Sequence, residues 1–206
     1  MAKLAYACRQ PGAVAVLCGP AGVGKTTVLR VIATDGLAQG QTVRLMSWSD
    51  IRADRTLAAA DDGDAGADVL LVDDAHRAAA GELVEFVERC RRRHDRIAIA
   101  IAGEGRLLSL VASDARLEQS VRLRAALPTF TLAESRRLLV PTLAFGAAEA
   151  DGEAVIRTIH EIAGGAPAIV VRLAEMVAML VASDPRRHLT PDDVEAIHRR
   201  LSLTAA

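Results

Sequence analysis

Aromatic side chains are nearly missing from this sequence of 206 residues: one Trp, one Tyr and three Phe make up 2% of it. Ala, Val, Leu and Ile must therefore fill the core, and at 51% hydrophobic residues the supply is sufficient. Three cysteines, Cys8, Cys18 and Cys90, have no paired spacing. That argues against a disulfide framework or a zinc site and leaves small buried residues of a reducing compartment. The formal net charge is only −1, so no global field draws the molecule to nucleic acid or membrane, and such binding would need local patches. No apolar run reaches about 18 residues without a charge, so no transmembrane helix is expected. The longest candidate, residues 169–181, carries Arg172 and Glu175. An early apolar run stops at Arg9, too short for a signal peptide, and a cytoplasmic location is expected.

What is present is concentrated in one stretch. Gly19, Pro20, Ala21, Gly22, Val23, Gly24, Lys25 and Thr26 fit the pattern G-x-x-x-x-G-K-S/T at every fixed position. An apolar strand-like run, residues 13–18, precedes it, and a helix-like run, residues 27–38, follows. The glycines let the backbone curl where a Cβ would clash, so that loop N–H groups and the helix N-terminus can cradle phosphates. Thr27, the first residue after the motif, is counted with the nucleotide-contacting residues. Lys25 is expected to reach the β and γ phosphates, and the Thr26 hydroxyl to ligate Mg²⁺.

The length allows one sizeable domain, or one domain with a small appendage. Residues 3–10 read as one or two helical turns ended by Pro11-Gly12. Apolar-rich runs predict strands at 13–18, 42–47, 68–73, 97–102 and 121–126, the first a continuous apolar run, with helices at 79–93 and 107–112. Gly36 and Gly40 are expected to end the first long helix. Residues 49–67, where Asp alternates with Ala and Gly, read as a loop or a frayed helix. Strands alternating with helices predict an α/β fold with a parallel sheet. The pattern changes at Pro128. Thr131 and Glu134 form a capping box, residues 156–162 a helical stripe ended by Gly164-Gly165, Pro167 a first helical position, and Thr190-Pro191 a last helix start. The expected domains are thus residues 1–128, nucleotide-binding, and 129–206, all-helical.

Residues 69–74 form an apolar strand ending in two acids. In phosphate-loop NTPases such a strand is expected beside the phosphate-loop strand, with its last acid facing the nucleotide's metal. Asp73 is then the Mg²⁺ partner, and Asp74 the group that orients or deprotonates the attacking water. His76 and Arg77 read as a solvated turn, although His76 could report on the acid beside it.

Asp73-Asp74-Ala75-His76 resembles the Asp-Glu-Ala-His form of AAA+ ATPases of the general secretion pathway type (ExeA/GspA), and is similar to the transposition ATPases of the TniB/MuB type. Further likeness lies in the segment from Ile101 to Leu108, in Leu127-Pro128-Thr129-Phe130 with Glu134, and in Gly164-Gly165-Ala166-Pro167. The resemblance implies a five-stranded sheet, a C-terminal helical lid, ATP with Mg²⁺, homo-oligomerisation, and an ATPase that assembles or remodels a protein or DNA partner. It also exposes departures. A γ-phosphate-sensing arginine is replaced by Ala168, with Arg172 one turn later on the same face. A trans-acting arginine is replaced by Ser120, with Arg116, Arg122 and Arg124 nearby. The polar residue after the fourth strand is the acid Glu104. These departures support binding more firmly than fast hydrolysis, since an arginine finger contributes about 10³–10⁵ in rate. The alternatives are a nucleotide-dependent switch with weak hydrolysis, or a DNA-binding regulator using Arg89–Arg96 and the Arg116, Arg122 and Arg124 group. No helix-turn-helix signature stands out. No Asn-Lys-x-Asp guanine-reading motif occurs, so adenine is preferred.

Overall fold

The computed structural model describes residues 2–53, 67–143, 150–184 and 188–204. They form two compact units: Met1–Pro20 with Gly24–Leu127, and Ala21–Val23 with Pro128–Ala206.

The first unit is a five-stranded sheet, every strand pair parallel. Its strands are β1 Val14–Cys18, β2 Val43–Ser47, β3 Val69–Asp73, β4 Ala98–Gly103 and β5 Val121–Ala126. Their spatial order is β2-β3-β4-β1-β5. The expectation that β3 lies beside β1 is corrected, because β4 runs between them. β4 can take that central place because all six of its residues are apolar or Gly and buried. Its two faces differ in size. Ile99 and Ile101 point into one core layer with Val14, Val16, Leu70 and Val72. Ala98, Ala100 and Ala102 point into the other, where α1 (Ala2–Cys8) and α2 (Lys25–Ala38) pack through Leu4, Leu29 and Ile32. The alternation follows from the two-residue period of a strand, and the alanines leave room for helices to come close.

The Ile face is covered by α4 Glu82–Arg93, α5 Arg106–Ala112 and α6 Ala115–Ser120, through Leu83, Val84, Phe86, Val87, Leu107, Val111 and Leu117. The few aromatics are used here. Trp48, at the start of α3 Trp48–Ala53, meets Phe86 edge-on with ring centroids 5.6 Å apart. Fully burying a side chain such as Leu71 or Ile101 contributes about 1.5–3 kcal/mol, and both are essentially inaccessible to solvent.

Other sequence expectations shift. The helix expected at 79–93 begins at Glu82, after Gly81 in a left-handed conformation (φ 85°). Gly36 does not end α2; the helix runs on to Ala38. A Cβ at Gly36 would stand 2.7 Å from Val43 Cγ2, so this glycine is there for close packing against β2. Of the stretch read as loop or frayed helix, residues 49–53 lie in α3, and 54–66 lie outside the described residues. The unforeseen α6 starts at Asp114, whose carboxylate accepts from the Arg116 and Leu117 N–H groups at 2.9 and 3.3 Å.

The second unit is helical: α7 Leu132–Leu143, α8 Ala150–Ala163, α9 Pro167–Ser183 and α10 Pro191–Thr204. Leu139, Ile156, Ile159, Val170, Leu173, Val177 and Val194 form its core. The Thr131 N–H donates to Glu134 Oε2 at 2.8 Å, and the Glu134 N–H donates to Thr131 Oγ1 at 3.3 Å. Thr190 makes the analogous start to α10, its N–H and hydroxyl both donating to Asp193 at 3.0 Å. Inside the bundle, fully buried Ser135 is hydrogen-bonded to His160 Nδ1 at 2.9 Å. No described helix is long and apolar enough to cross a membrane.

Candidate active site

The phosphate-loop sequence leaves the sheet at the C-terminal end of β1. Its first N–H, from Gly19, donates to the carbonyl of Gly103 at the end of β4, at 3.2 Å. Gly22 and Gly24 hold φ angles of 72° and 96°, a region that side chains with a Cβ rarely enter. Gly24 caps α2, and Lys25 is the first helical residue. The Lys25 side chain is 8% exposed, and its Nζ donates to the Gly19 and Pro20 carbonyls at 2.8 and 2.7 Å. Backbone oxygens thus hold the ammonium over its own loop. One residue on, Thr26 Oγ1 donates to Asp73 Oδ2 at 2.5 Å. The last residue of β3, 47 positions away in sequence, therefore meets the loop's hydroxyl even with β4 between the two strands.

Asp73 is fixed from a second side, its Oδ1 accepting the Asp74 N–H at 2.9 Å. Asp74 adopts a left-handed backbone, φ 55°, the one described non-glycine residue with positive φ. Such conformations are costly away from Gly, Asn and Asp. The turn sends the chain into the 3-10 helix Ala75–Arg77 and leaves the Asp74 side chain 45% exposed. Its carboxylate lies 3.8 Å from Arg77 Nε and 4.0 Å from His76 Nδ1.

The donor set fits a hard divalent cation. A hydroxyl and a carboxylate oxygen are presented side by side, and Mg²⁺ commonly takes one or two protein oxygens and completes its shell with water and phosphate oxygens. Among the described residues no group of three or more His, Cys, Asp or Glu could hold a metal by itself. The loop leaves room for phosphate, since a Cβ built at Gly24 would meet nothing within 4 Å. The thiols take no part. Burial pushes Cys8 and Cys90 up to about 11, so both stay protonated and unreactive.

The arginines named from the sequence are dispersed. Arg116 pairs with Glu88 at 2.9 Å and with Asp114 at 3.3 Å, and Arg124 pairs with Glu118 at 3.1 Å. Arg122 has no ion pair among the described residues. It lines a groove of about 590 Å³ with Lys3, Tyr6 and Gln10, near Ala13 and so at the other end of β1 from the phosphate loop. Ser120 turns its hydroxyl onto the Leu117 carbonyl at 2.7 Å. Within the second unit the Ala168 N–H donates to the Gly22 carbonyl at 3.0 Å. Ala168 and Arg172 both have exposed side chains.

The sequence reading missed the surroundings of His76. It placed His76 in a solvated turn, yet the side chain is only 15% exposed, with Nε2 3.8 Å from Glu104 Oε1. The close approach is set at Gly103, where a Cβ would stand 2.9 Å from the His76 nitrogen and 3.0 Å from its Cβ, and sequence spacing carries no signal of it.

A family profile described as Novel STAND NTPase 5 matches residues 2–110, just over half of the chain. The chain belongs to that family. In this STAND NTPase the matched span holds the whole phosphate-loop sequence together with Asp73, Asp74 and Glu104. The chain is also similar to solved structures. A RuvB mutant of Thermotoga maritima is 20% identical with a TM-score of 0.60, covering 92% of this chain and 63% of that one. The ORC2 protein of Aeropyrum pernix, with ADPNP and ADP, is 16% identical with a TM-score of 0.58, covering 92% of this chain and 62% of that one. The FIGL-1 AAA domain with ADP is 16% identical with a TM-score of 0.59, covering 92% and 72%. These likenesses establish an AAA+ P-loop fold. The STAND NTPase chain spans about three-fifths of the first two of these structures. No curated protein matches it.

Proposed function

We propose that this chain binds ATP with Mg²⁺ and hydrolyses the β–γ phosphoanhydride, coupling the cycle to assembly or remodelling of a macromolecular partner. The observation that carries the reading is the Thr26–Asp73 contact at 2.5 Å, which joins a complete phosphate loop to the acid at the end of β3. Lys25 exchanges its two carbonyl partners for phosphate oxygens, and loop N–H groups between Ala21 and Thr27 orient the phosphate chain. Thr26 and Asp73 hold Mg²⁺, which supplies charge neutralisation on the transferring phosphoryl group. Asp74 orients or deprotonates the attacking water. Residues 129–206 act as a lid, and protomers associate into homo-oligomers. The ExeA/GspA and TniB/MuB resemblance supports the coupling to a partner.

A second reading, a nucleotide-dependent switch with weak hydrolysis, is favoured by the arginine geometry. Ser120 and Ala168 occupy the positions where ExeA/GspA-type ATPases carry arginines, and Arg116 and Arg124 are engaged in ion pairs. Isothermal titration of Mg²⁺-ATP and phosphate release separate the two. Lys25→Ala is expected to weaken binding about 10- to 100-fold, the loss of charge-assisted hydrogen bonds. Asp74→Asn is expected to retain binding and to lose about 10²–10⁴ in turnover. Tight ATP binding with negligible release at every protein concentration selects the switch, and wild-type ATP affinity in Lys25→Ala overturns both readings.

A further inference from the structure

We propose that His76 is a positioning residue that holds the Asp74 carboxylate in place between the ends of β3 and β4, against the pull of Arg77. The inference rests on the assignment of Asp74 to the attacking water.

Four observations converge on it. The His76 ring is enclosed, 15% exposed, whereas the two carboxylates flanking it are 45% and 44% exposed. Its nitrogens divide between them, Nδ1 4.0 Å from Asp74 Oδ1 and Nε2 3.8 Å from Glu104 Oε1. Both distances exceed hydrogen-bond length, and buried Nδ1 has no hydrogen-bond partner among the described residues. A movement of about 1 Å by either carboxylate would close the contact, and an unpaired buried nitrogen favours that movement. The backbone that carries the ring is anchored independently of the acids. The Arg106 guanidinium donates to the His76 carbonyl, and Gly103 presses on the His76 backbone with no room for a side chain of its own. Arg77 competes from the opposite side, its Nε 3.8 Å from Asp74 Oδ2 and its side chain 66% exposed. An exposed arginine is free to follow the carboxylate into solvent, whereas an imidazole on an anchored backbone is not. Asp74 therefore has one fixed neighbour and one mobile one. The fixed neighbour connects it through Glu104 to the strand that also anchors the loop residue Gly19.

The test compares kcat, KM and ATP affinity in wild type, His76→Ala, His76→Asn and the double variant His76→Ala/Arg77→Ala, with Lys25→Ala and Asp74→Asn as controls. His76→Ala is expected to lower kcat about 10- to 100-fold, the range for misplacing a reacting group by about 1 Å, with ATP affinity within about twofold of wild type. Asn carries an amide nitrogen near the Nδ1 position, so His76→Asn is expected to recover most of the loss. Removing Arg77 in the Ala background is expected to recover part of it. Unchanged kcat in His76→Ala, or an Asn variant as slow as the Ala variant, overturns the proposal. If His76→Ala does not fold, Glu104→Gln leaves the ring and its packing in place. An approximately tenfold lower kcat there supports the bridge, and an unchanged kcat overturns it. Should Asp74→Asn turn over ATP at the wild-type rate, the assignment of Asp74 fails and the His76 proposal with it. Normal control behaviour with an inert His76 confines the failure to His76.

Discussion

One missing Cβ sets how near the turn after β3 can come to β4. At Gly103 any side chain would collide with the His76 backbone at 2.9 Å and its Cβ at 3.0 Å. Gly103→Ala is expected to destabilise the chain by about 1–3 kcal/mol, as overpacking does, and to lower turnover by displacing His76; urea unfolding and phosphate release check the two effects. Lys25, Thr26 and Asp73 were proposed as site residues because Lys25 and Thr26 close a contiguous phosphate-loop pattern and Asp73 ends an apolar strand. His76 and Glu104 were not, since their proximity depends on β3 and β4 being neighbours, 28 residues apart in sequence. The pairing of Arg116 with Glu88 and of Arg124 with Glu118 was equally hidden, because sequence spacing alone does not say which charges meet.

At the scale of elements, apolar-rich stretches placed all five strands, with charged and apolar residues alternating in β5, and the sharpest cap came from Thr131 with Glu134. What could not be read was order and closeness. β4 sits between β3 and β1, and Gly36 serves packing inside a helix where it resembled a stop signal. The alanine face of β4 explains the scarcity of aromatics in part: helices α1 and α2 come close over small residues, so large rings are not needed there. The Thr131 cap is a stability feature with a pH signature. The Thr131 N–H, then its hydroxyl, hold the Glu134 carboxyl below its ordinary value of 4.5. A depressed folded-state value stabilises above the unfolded value, so this contribution is complete above pH 4.5 and is lost as pH falls through the lower folded-state value. Thr131→Ala is expected to cost about 1 kcal/mol at neutral pH. The difference between it and wild type in thermal unfolding should shrink on acidification below about pH 4; a difference that grows there would contradict the assignment.

For the whole molecule, the sequence pattern changes at Pro128, and the structure groups into compact units that divide at Leu127 and Pro128, with residues 21–23 counted in the second unit. The proposed lid and oligomer belong to this scale. Of the three arginines named for a trans-acting role, Arg122 alone has no described ion pair. Arg122→Ala is therefore expected to lower turnover more than Arg124→Ala, with ATP affinity unchanged in both; the reverse order in phosphate release would rule Arg122 out. The most direct test of the nucleotide site itself is phosphate release per protomer from Mg²⁺-ATP across a wide range of protein concentration, in wild type, Lys25→Ala and Asp74→Asn. Turnover that rises cooperatively with concentration and collapses in both variants is the expected result. Turnover in either variant at the wild-type level would contradict a site built on Lys25, Thr26, Asp73 and Asp74.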